Sequence, residues 1–282
     1  MPVLTVKCLP KNLQIKENMI LRGLPVAQKI YDRLKEKIEE LKQKNIKPHL
    51  AVILVGDDPA SLKYVELKEK KAAELGVEFK FYHLPANVLT KNIEELINDL
   101  NKNKFIQGII IQLPLPKEFA TDNLLEKIDP KKDIDGLTSD YTAPTAAAIL
   151  EILKFYQIEL KDKKIVIVGR GKLVGKPLQK MLMAQTYEPL VCDSETQNLK
   201  EETLKADILI LATGVPGLIK PGMVKNGAIV IDAGTSESNG KMVGDVDPEV
   251  YQKDISYTPN PGGVGPVTVA CLMKNLIDSF EL

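Results

Sequence analysis

The chain has 282 residues, 44% of them hydrophobic, enough for one large or two ordinary domains with a sizeable core. Lysine plus arginine match aspartate plus glutamate at 38 each, so bulk charge attraction to nucleic acid or to an anionic membrane is excluded. Two histidines and three scattered cysteines (Cys8, Cys192, Cys271) provide no zinc cluster and no disulfide framework, and no apolar run approaches the ~20 residues of a membrane span; the expectation is a cytoplasmic protein without a metal.

Residues 1–18 show no period, and the opening MPVLTVKCLP lacks the long apolar core of a signal peptide. From Val26, apolar residues recur at Ile30, Leu34, Ile38 and Leu41, which predicts an amphipathic helix. Leu50 to Val55 is a continuous apolar run, read as a strand buried on both faces. Gly56-Asp57-Asp58-Pro59 ends it, with Asp58 placed to cap the following helix and Pro59 just inside it. That helix, over about residues 59–75, puts Tyr64 and Lys68 four apart on one face. Taken alone it better suits a solvated lysine-rich helix with one tyrosine in the core.

Val77 to Leu84 predicts a strand, Ile93 to Leu100 a helix, and Phe105 to Leu113 another buried strand with Gln112 near its C-terminal end. In open α/β sheets, ligands bind beyond the C-terminal ends of strands, so Gln112 is either a satisfied structural amide or a group facing a cleft. Leu113-Pro114-Leu115-Pro116 stops the strand, and a short helical stretch precedes Asp129-Pro130-Lys131-Lys132-Asp133-Ile134-Asp135-Gly136, which on its own is an ordinary acidic turn.

The second half opens on a helix from Ala146 to Phe155, followed by the β-branched run Ile165 to Val168 and the turn Gly169-Arg170-Gly171. Apolar positions Leu173, Leu178, Met181 and Leu182 then suit a helix. A strand feeding a helix through a glycine turn aims backbone N–H groups and the positive helix end at one point, which suits phosphate. The spacing G-x-G-x-x-x-G, ending at Gly175, is one residue longer than the dinucleotide fingerprint. Further strands are read at Pro189 to Cys192, Asp207 to Leu211 and Ala228 to Asp232, separated by helical turns or the glycine-rich ATGVPG (with Thr213 and Gly214) and DAGT (ending at Thr235). The alternation implies α/β architecture: a C-terminal doubly wound parallel sheet of Rossmann type, and an N-terminal α/β layer.

Asp193 follows the second of these strands, near the spacing at which an acid accepts the hydroxyls of an adenosine ribose. A carboxylate there repels an additional ribose phosphate by roughly 4 kcal/mol per unit charge, at about 4 Å and an effective dielectric of about 20. Glu195 adds the same sign, while Arg170 is the group a phosphate would seek. The expectation is NAD or NADP, with NAD accepted at least as well. Thr258 to Thr268, TPNPGGVGPVT, reads as a rigid loop, and VACLMKNLIDSF as a closing helix able to cover the first domain.

Four separated stretches agree with one family: GDDPASLKYVELKEKKAAELGV, GIIIQLPLP, PKKDIDGLT and TPNPGGVGPVT, with GRGKLVGKP in place of GRSxxVGxP. From about Ile20 onward the chain resembles bifunctional methylenetetrahydrofolate dehydrogenase/methenyltetrahydrofolate cyclohydrolase. The resemblance implies two α/β domains with a cleft between them, a folate-binding part over 1–143 and 266–282 and a dinucleotide-binding part over 144–265. It implies that Tyr64 stacks on the pterin ring, Lys68 is the catalytic lysine, Gln112 hydrogen-bonds that lysine, and Asp135 anchors the pterin. Leu113, Pro114, Gly262, Gly263, Pro266 and Val267 would lie along the folate, and Gly169, Arg170, Gly171, Gly175, Asp193, Ser194, Thr213, Gly214 and Thr235 along the nicotinamide cofactor. It further implies a homodimer formed through the cofactor domain.

The sequence departs from this family in three places. The segment between the DGLT-like turn and Ala143-Pro144-Thr145 is shortened, Leu24 stands where lysine is usual, and the usual C-H-S-[RK]-T becomes Cys192-Asp193-Ser194-Glu195-Thr196 with Gly171 replacing a serine. Rival readings are a methylene-tetrahydromethanopterin or other two-domain pterin dehydrogenase, a monofunctional dehydrogenase of the same family, a cofactor-binding protein without catalysis, and a shikimate-type dehydrogenase. The last explains the cofactor half but not the set of lysine, glutamine and aspartate.

Overall fold

The computed structural model describes residues 18–138, 141–238 and 241–281, so Cys8 and nearly all of the N-terminal extension fall outside the described residues. In chain order the elements are α1 (Gly23–Gln43), β1 (His49–Val55), α2 (Pro59–Leu75), β2 (Glu78–Leu84), α3 (Thr90–Lys102), β3 (Gly108–Ile111), α4 (Thr121–Leu125), α5 (Pro144–Phe155), β4 (Ile165–Val168), α6 (Gly175–Ala184), β5 (Leu190–Cys192), α7 (Leu199–Leu204), β6 (Ile208–Leu211), β7 (Ile229–Asp232), β8 (Ser236–Ser238), β9 (Lys241–Val243), β10 (Ser256–Tyr257) and α8 (Val264–Asp278).

Two parallel sheets form. The first has the order β2-β1-β3 and the second β10-β7-β6-β4-β5, while β8 and β9 make a small antiparallel hairpin. The apolar runs explain the central strands: β1 from Leu50 onward and β3, β4, β6 and β7 throughout are buried, as strands covered on both faces by helices must be. The apolar stripe of α1 (Val26, Ile30, Leu34, Ile38) joins Ala146, Ile149 and Ile152 of α5 and Val267, Leu272 and Met273 of α8 in one core cluster. Each of the valine, leucine, isoleucine and methionine side chains contributes about 1.5–3 kcal/mol when fully buried. Helix α8 packs along both α1 and α5, so it ties the two sheets together. The chain also crosses between lobes near its described start: Leu21 N donates to Tyr257 O at 2.7 Å and Tyr257 N to Met19 O at 3.0 Å. No helix among the described residues is long and apolar enough to cross a membrane.

Three expectations change. The strand read over Phe105 to Leu113 covers only Gly108–Ile111, because Asn103 Oδ1 accepts from Phe105 N in a local turn and leaves Phe105 73% exposed. The last helix begins at Val264, five residues before the apolar run starting at Val269. Pro266 sits in its first turn, where the missing N–H is one that no intrahelical partner would satisfy. Pro266 and Val267 are therefore helical rather than part of a loop. Leu173 precedes α6 and is 44% exposed, outside the apolar face it was counted in.

Candidate functional site

Asp58 Oδ2 accepts from Ser61 N at 2.8 Å and fixes the start of α2, which carries Tyr64 and Lys68. Strand β1 pairs with β3 from Leu50 through Ile53, and Gln112 N donates to Ile53 O at 2.8 Å immediately past the last strand residue. This places the Gln112 amide at the C-terminal end of the sheet, directly under α2. There Lys68 Nζ donates to Gln112 Oε1 at 2.8 Å, a buried contact, and Gln112 Nε2 donates back to Leu113 O at 2.8 Å. The amide is satisfied on both sides, so its orientation is defined: oxygen toward the lysine, nitrogen toward the Leu113-Pro114 turn.

Asp135 stands on a turn held by several long-range hydrogen bonds. Lys132 Nζ donates to the carbonyls of Leu100, Asn101 and Asn103, where α3 ends, at 2.9, 2.7 and 2.8 Å. Asn275 Nδ2, on α8, donates to Ile134 O and Thr142 O at 2.8 Å each. Asp133 Oδ2 accepts from Thr138 N at 2.7 Å and from Thr138 Oγ1 at 2.9 Å. Neither Lys132 nor Asn275 was singled out from the sequence, since bonds to distant backbone carbonyls leave no local pattern.

The electrostatics follow from burial. Lys68 is 9% exposed, and loss of hydration pushes its ammonium below the usual lysine range, while the Asp135 carboxylate opposes that shift. Burial likewise raises Asp135, with Lys68 pulling it down and Asp133 pushing it up. Desolvation leads in both cases, so each group is moved toward its neutral form. A lysine held this way, on an uncharged amide, gives up its proton more readily than a free lysine at about 10.4.

Across the cleft, Tyr64 Oη donates to Thr235 Oγ1 at 3.2 Å, so the two lobes meet at the tyrosine. Gly262 and Gly263 lie next to the start of α1, where Gly23 N donates to Gly262 O at 2.8 Å, and Pro266 and Val267 follow in α8. A groove of about 660 Å³ runs from Leu113, Gly136 and Leu137 past Tyr141 and Ala143 to Lys176 and Met181 of α6. Thr138, Tyr141, Thr142 and Ala143, at the place where the sequence is shortened, form part of its wall.

The glycine turn fits a nucleotide cofactor. Gly169 has φ +110°, and a Cβ there would lie 2.4 Å from Ala212 O; a Cβ at Gly175 would lie 1.9 Å from Gly169 O. Bare backbone is thus drawn tight against the start of α6, the form an anion cradle takes. Gly171 has open space around it, so no crowding requires glycine there. Gly169 N donates to Cys192 O at 2.8 Å, which sets Asp193 and exposed Ser194 beside the turn. Thr213 is engaged elsewhere: its N–H and Oγ1 both donate to Asp245 Oδ2, at 2.6 and 2.8 Å, and Gly214 O accepts from Ser236 Oγ at 2.6 Å. Among the described residues no cluster of three or more His, Cys, Asp or Glu is arranged to hold a metal.

Comparison with known proteins covers nearly the whole chain. A family model described as tetrahydrofolate dehydrogenase/cyclohydrolase, catalytic domain, matches residues 21–135, and its NAD(P)-binding domain counterpart matches 143–282. The bifunctional protein FolD of Lactobacillus acidophilus is 44% identical over 270 residues, covering 92% of this chain and 95% of that protein. The FolD of Aquifex aeolicus is 42% identical over 277 residues, covering 93% and 95%. Among solved structures, the methylenetetrahydrofolate dehydrogenase/cyclohydrolase of Campylobacter jejuni superposes with a TM-score of 0.87 at 40% identity, covering 93% of this chain and 98% of that one. The Trypanosoma brucei enzyme, complexed with NADP cofactor and inhibitor, gives 0.88 at 34% identity, covering 95% and 98%. Shikimate 5-dehydrogenase of Thermus thermophilus, at 15% identity and a TM-score of 0.56, shares the fold alone.

Proposed function

The chain belongs to the tetrahydrofolate dehydrogenase/cyclohydrolase family, and from that premise we propose how its cleft divides the work of two reactions. The protein oxidises methylenetetrahydrofolate to the methenyl form with NAD(P) and hydrolyses that product to formyltetrahydrofolate. Bound NAD(P) supplies the acceptor for the hydride leaving the one-carbon bridge.

The protein's part in the first reaction is positioning, which converts an encounter of two flat rings into a near-attack arrangement. Tyr64 offers its ring as the platform for the pterin, and Asp135 accepts pterin N–H groups in charge-assisted bonds. Leu113, Pro114, Gly262, Gly263, Pro266 and Val267 line the path of the folate, while Gly169, Arg170, Gly171, Gly175, Asp193, Ser194, Gly214 and Thr235 surround the cofactor, with the Thr213 hydroxyl spent on Asp245. In the second reaction Lys68 Nζ takes a proton from the water that adds to the methenyl carbon, then returns one to the ring nitrogen as the bond to carbon breaks. Gln112 orients the amine without adding a charge that would keep it protonated.

The observation that carries this reading is the buried 2.8 Å bond from Lys68 to Gln112. We place the folate lobe at 1–143 with 266–282 and the cofactor lobe at 144–265; the packing of α8 on α1 supports its return to the first lobe. A homodimer through the cofactor lobe is supported by the exposed Leu190 on the edge strand β5, and a cytoplasmic setting by the unpaired, buried Cys192 and Cys271. The test is a sequential assay: methylenetetrahydrofolate with NAD or NADP should produce methenyl product that then decays to formyl product. Methenyl product that accumulates without decay beyond the spontaneous rate would refute the hydrolytic assignment.

A further inference from the structure

We propose that the cofactor site selects NAD over NADP by a carboxylate clasp in which Asp193 both receives the ribose and holds Arg170 away from a phosphate. The proposal rests on the dehydrogenase reading above and adds the discriminating residues. Asp193 lies at the end of β5, whose neighbour in the sheet is β4, the strand that feeds the glycine turn. Its backbone is pinned on both sides: Asp193 N donates to Thr196 Oγ1 at 3.0 Å, and Thr196 N donates to Asp193 O at 3.2 Å. One carboxylate oxygen accepts from Glu195 N at 3.0 Å, and the other lies 4.0 Å from Arg170 Nη1.

The arrangement decides what the single guanidinium on the glycine turn can do. The Asp193 side chain is only 31% exposed and fixed by its turn, whereas Arg170 is 59% exposed. The carboxylate is therefore the standing feature and the arginine its partner. A ribose bearing two free hydroxyls can donate to Asp193 without disturbing the pair. A ribose 2′-phosphate would meet Asp193 head on, with exposed Glu195 two residues away, and would have to draw Arg170 out of its pair. Of the nearby lysines, Lys172 pairs with Asp122 across the groove, and Lys205 with Glu201 and Glu202. Those two glutamates add further negative charge on α7, the helix that follows β5.

The experiment measures kcat/KM for hydride transfer with NAD and NADP, together with calorimetric binding of NADH and NADPH to the full-length protein. Wild type should favour the NAD form at least tenfold in both. The double variant Asp193→Ser, Glu195→Lys should move the ratio at least a hundredfold toward NADP. Arg170→Ala should lower NADP use tenfold or more in Asp193→Ser, where the guanidinium is released, and by a smaller factor in the wild-type background, where Asp193 holds it. Hydrolysis of supplied methenyltetrahydrofolate, which consumes no nicotinamide, reports that each variant is folded. Equal or NADP-favouring wild-type ratios, or a ratio unmoved in a folded double variant, would overturn the clasp. If a variant loses hydrolysis, the wild-type binding ratio decides alone. Absence of binding by either nucleotide with hydrolysis intact would overturn the dehydrogenase reading and the clasp together.

Discussion

Replacing Gln112 by Glu keeps the size and shape of the side chain but places a charge where the structure has a neutral amide. The Lys68 amine is 2.8 Å from the amide oxygen and nearly excluded from water. At about 3 Å and an effective dielectric of about 20, a new carboxylate attracts the protonated lysine by roughly 5 kcal/mol. Burying the added charge takes back part of this, leaving a net of about 2–3 kcal/mol in favour of the ammonium. That is about thirty- to a hundred-and-fiftyfold less neutral amine wherever the amine limits the rate. The expected result is a fall of that size in methenyltetrahydrofolate hydrolysis near neutral pH, recovered as pH rises, because the limb governed by Lys68 moves in the alkaline direction. Hydride transfer, which asks no proton of Lys68, should fall far less. The assay is the pH profile of hydrolysis for parent and variant from pH 6 to 10. A profile of unchanged shape, or an equal loss in both reactions at every pH, would refute the view that Gln112 acts by keeping the lysine free of charge.

Asp135→Asn should lower kcat/KM for the folate in both reactions by about ten- to a hundredfold, the value of a charge-assisted bond, with little change in KM for the nicotinamide cofactor. Tyr64→Phe loses only the 3.2 Å contact to Thr235 and should leave both activities within about threefold, whereas Tyr64→Ala, which removes the ring, should raise the folate KM about tenfold. Asp232, at the end of β7, is pushed up to about 6 by burial and by neighbouring Asp245, against backbone N–H groups that hold it down. The folded protein then binds a proton that the unfolded chain has released, so this carboxyl's contribution to stability is fully present below about pH 4 and is lost as pH rises through about 6, by about 3 kcal/mol in all. Thermal melts of wild type and Asp232→Asn should accordingly differ more, in the direction of wild-type stability, at pH 4.5 than at pH 7.5.

Local chemistry made much of this molecule readable before its coordinates. Continuous β-branched runs such as Ile165 to Val168 mark buried parallel strands, and Asp58-Pro59 marks the start of α2, so the helix bearing Lys68 and the strand end bearing Gln112 were both placed. Their meeting at 2.8 Å follows from the pairing of β1 with β3, and single-strand patterns do not specify which strands become neighbours. The glycine turn was legible as a strand–turn–helix, and the structure adds why Gly169 and Gly175 are glycine while Gly171 has no such need. The support of Asp135 was not legible: Asn275 reaches Ile134 O across 141 positions of sequence. The two-residue strand β10 and its bridge to Ile20 are too short to show a period. TPNPGGVGPVT hid the first turn of α8, because glycines and prolines dominate its composition even where the backbone is already helical.

The central claim is that one amine serves the hydrolytic step while the rest of the cleft carries hydride transfer. Lys68→Met tests it most directly, in a single-turnover experiment that mixes enzyme and NAD or NADP with methylenetetrahydrofolate and follows the methenyl form in time. Wild type should show it rise and decay; Lys68→Met should show it rise, more slowly, and then persist at the spontaneous rate of loss. Enzymatic decay at the parental rate in the variant would contradict the account.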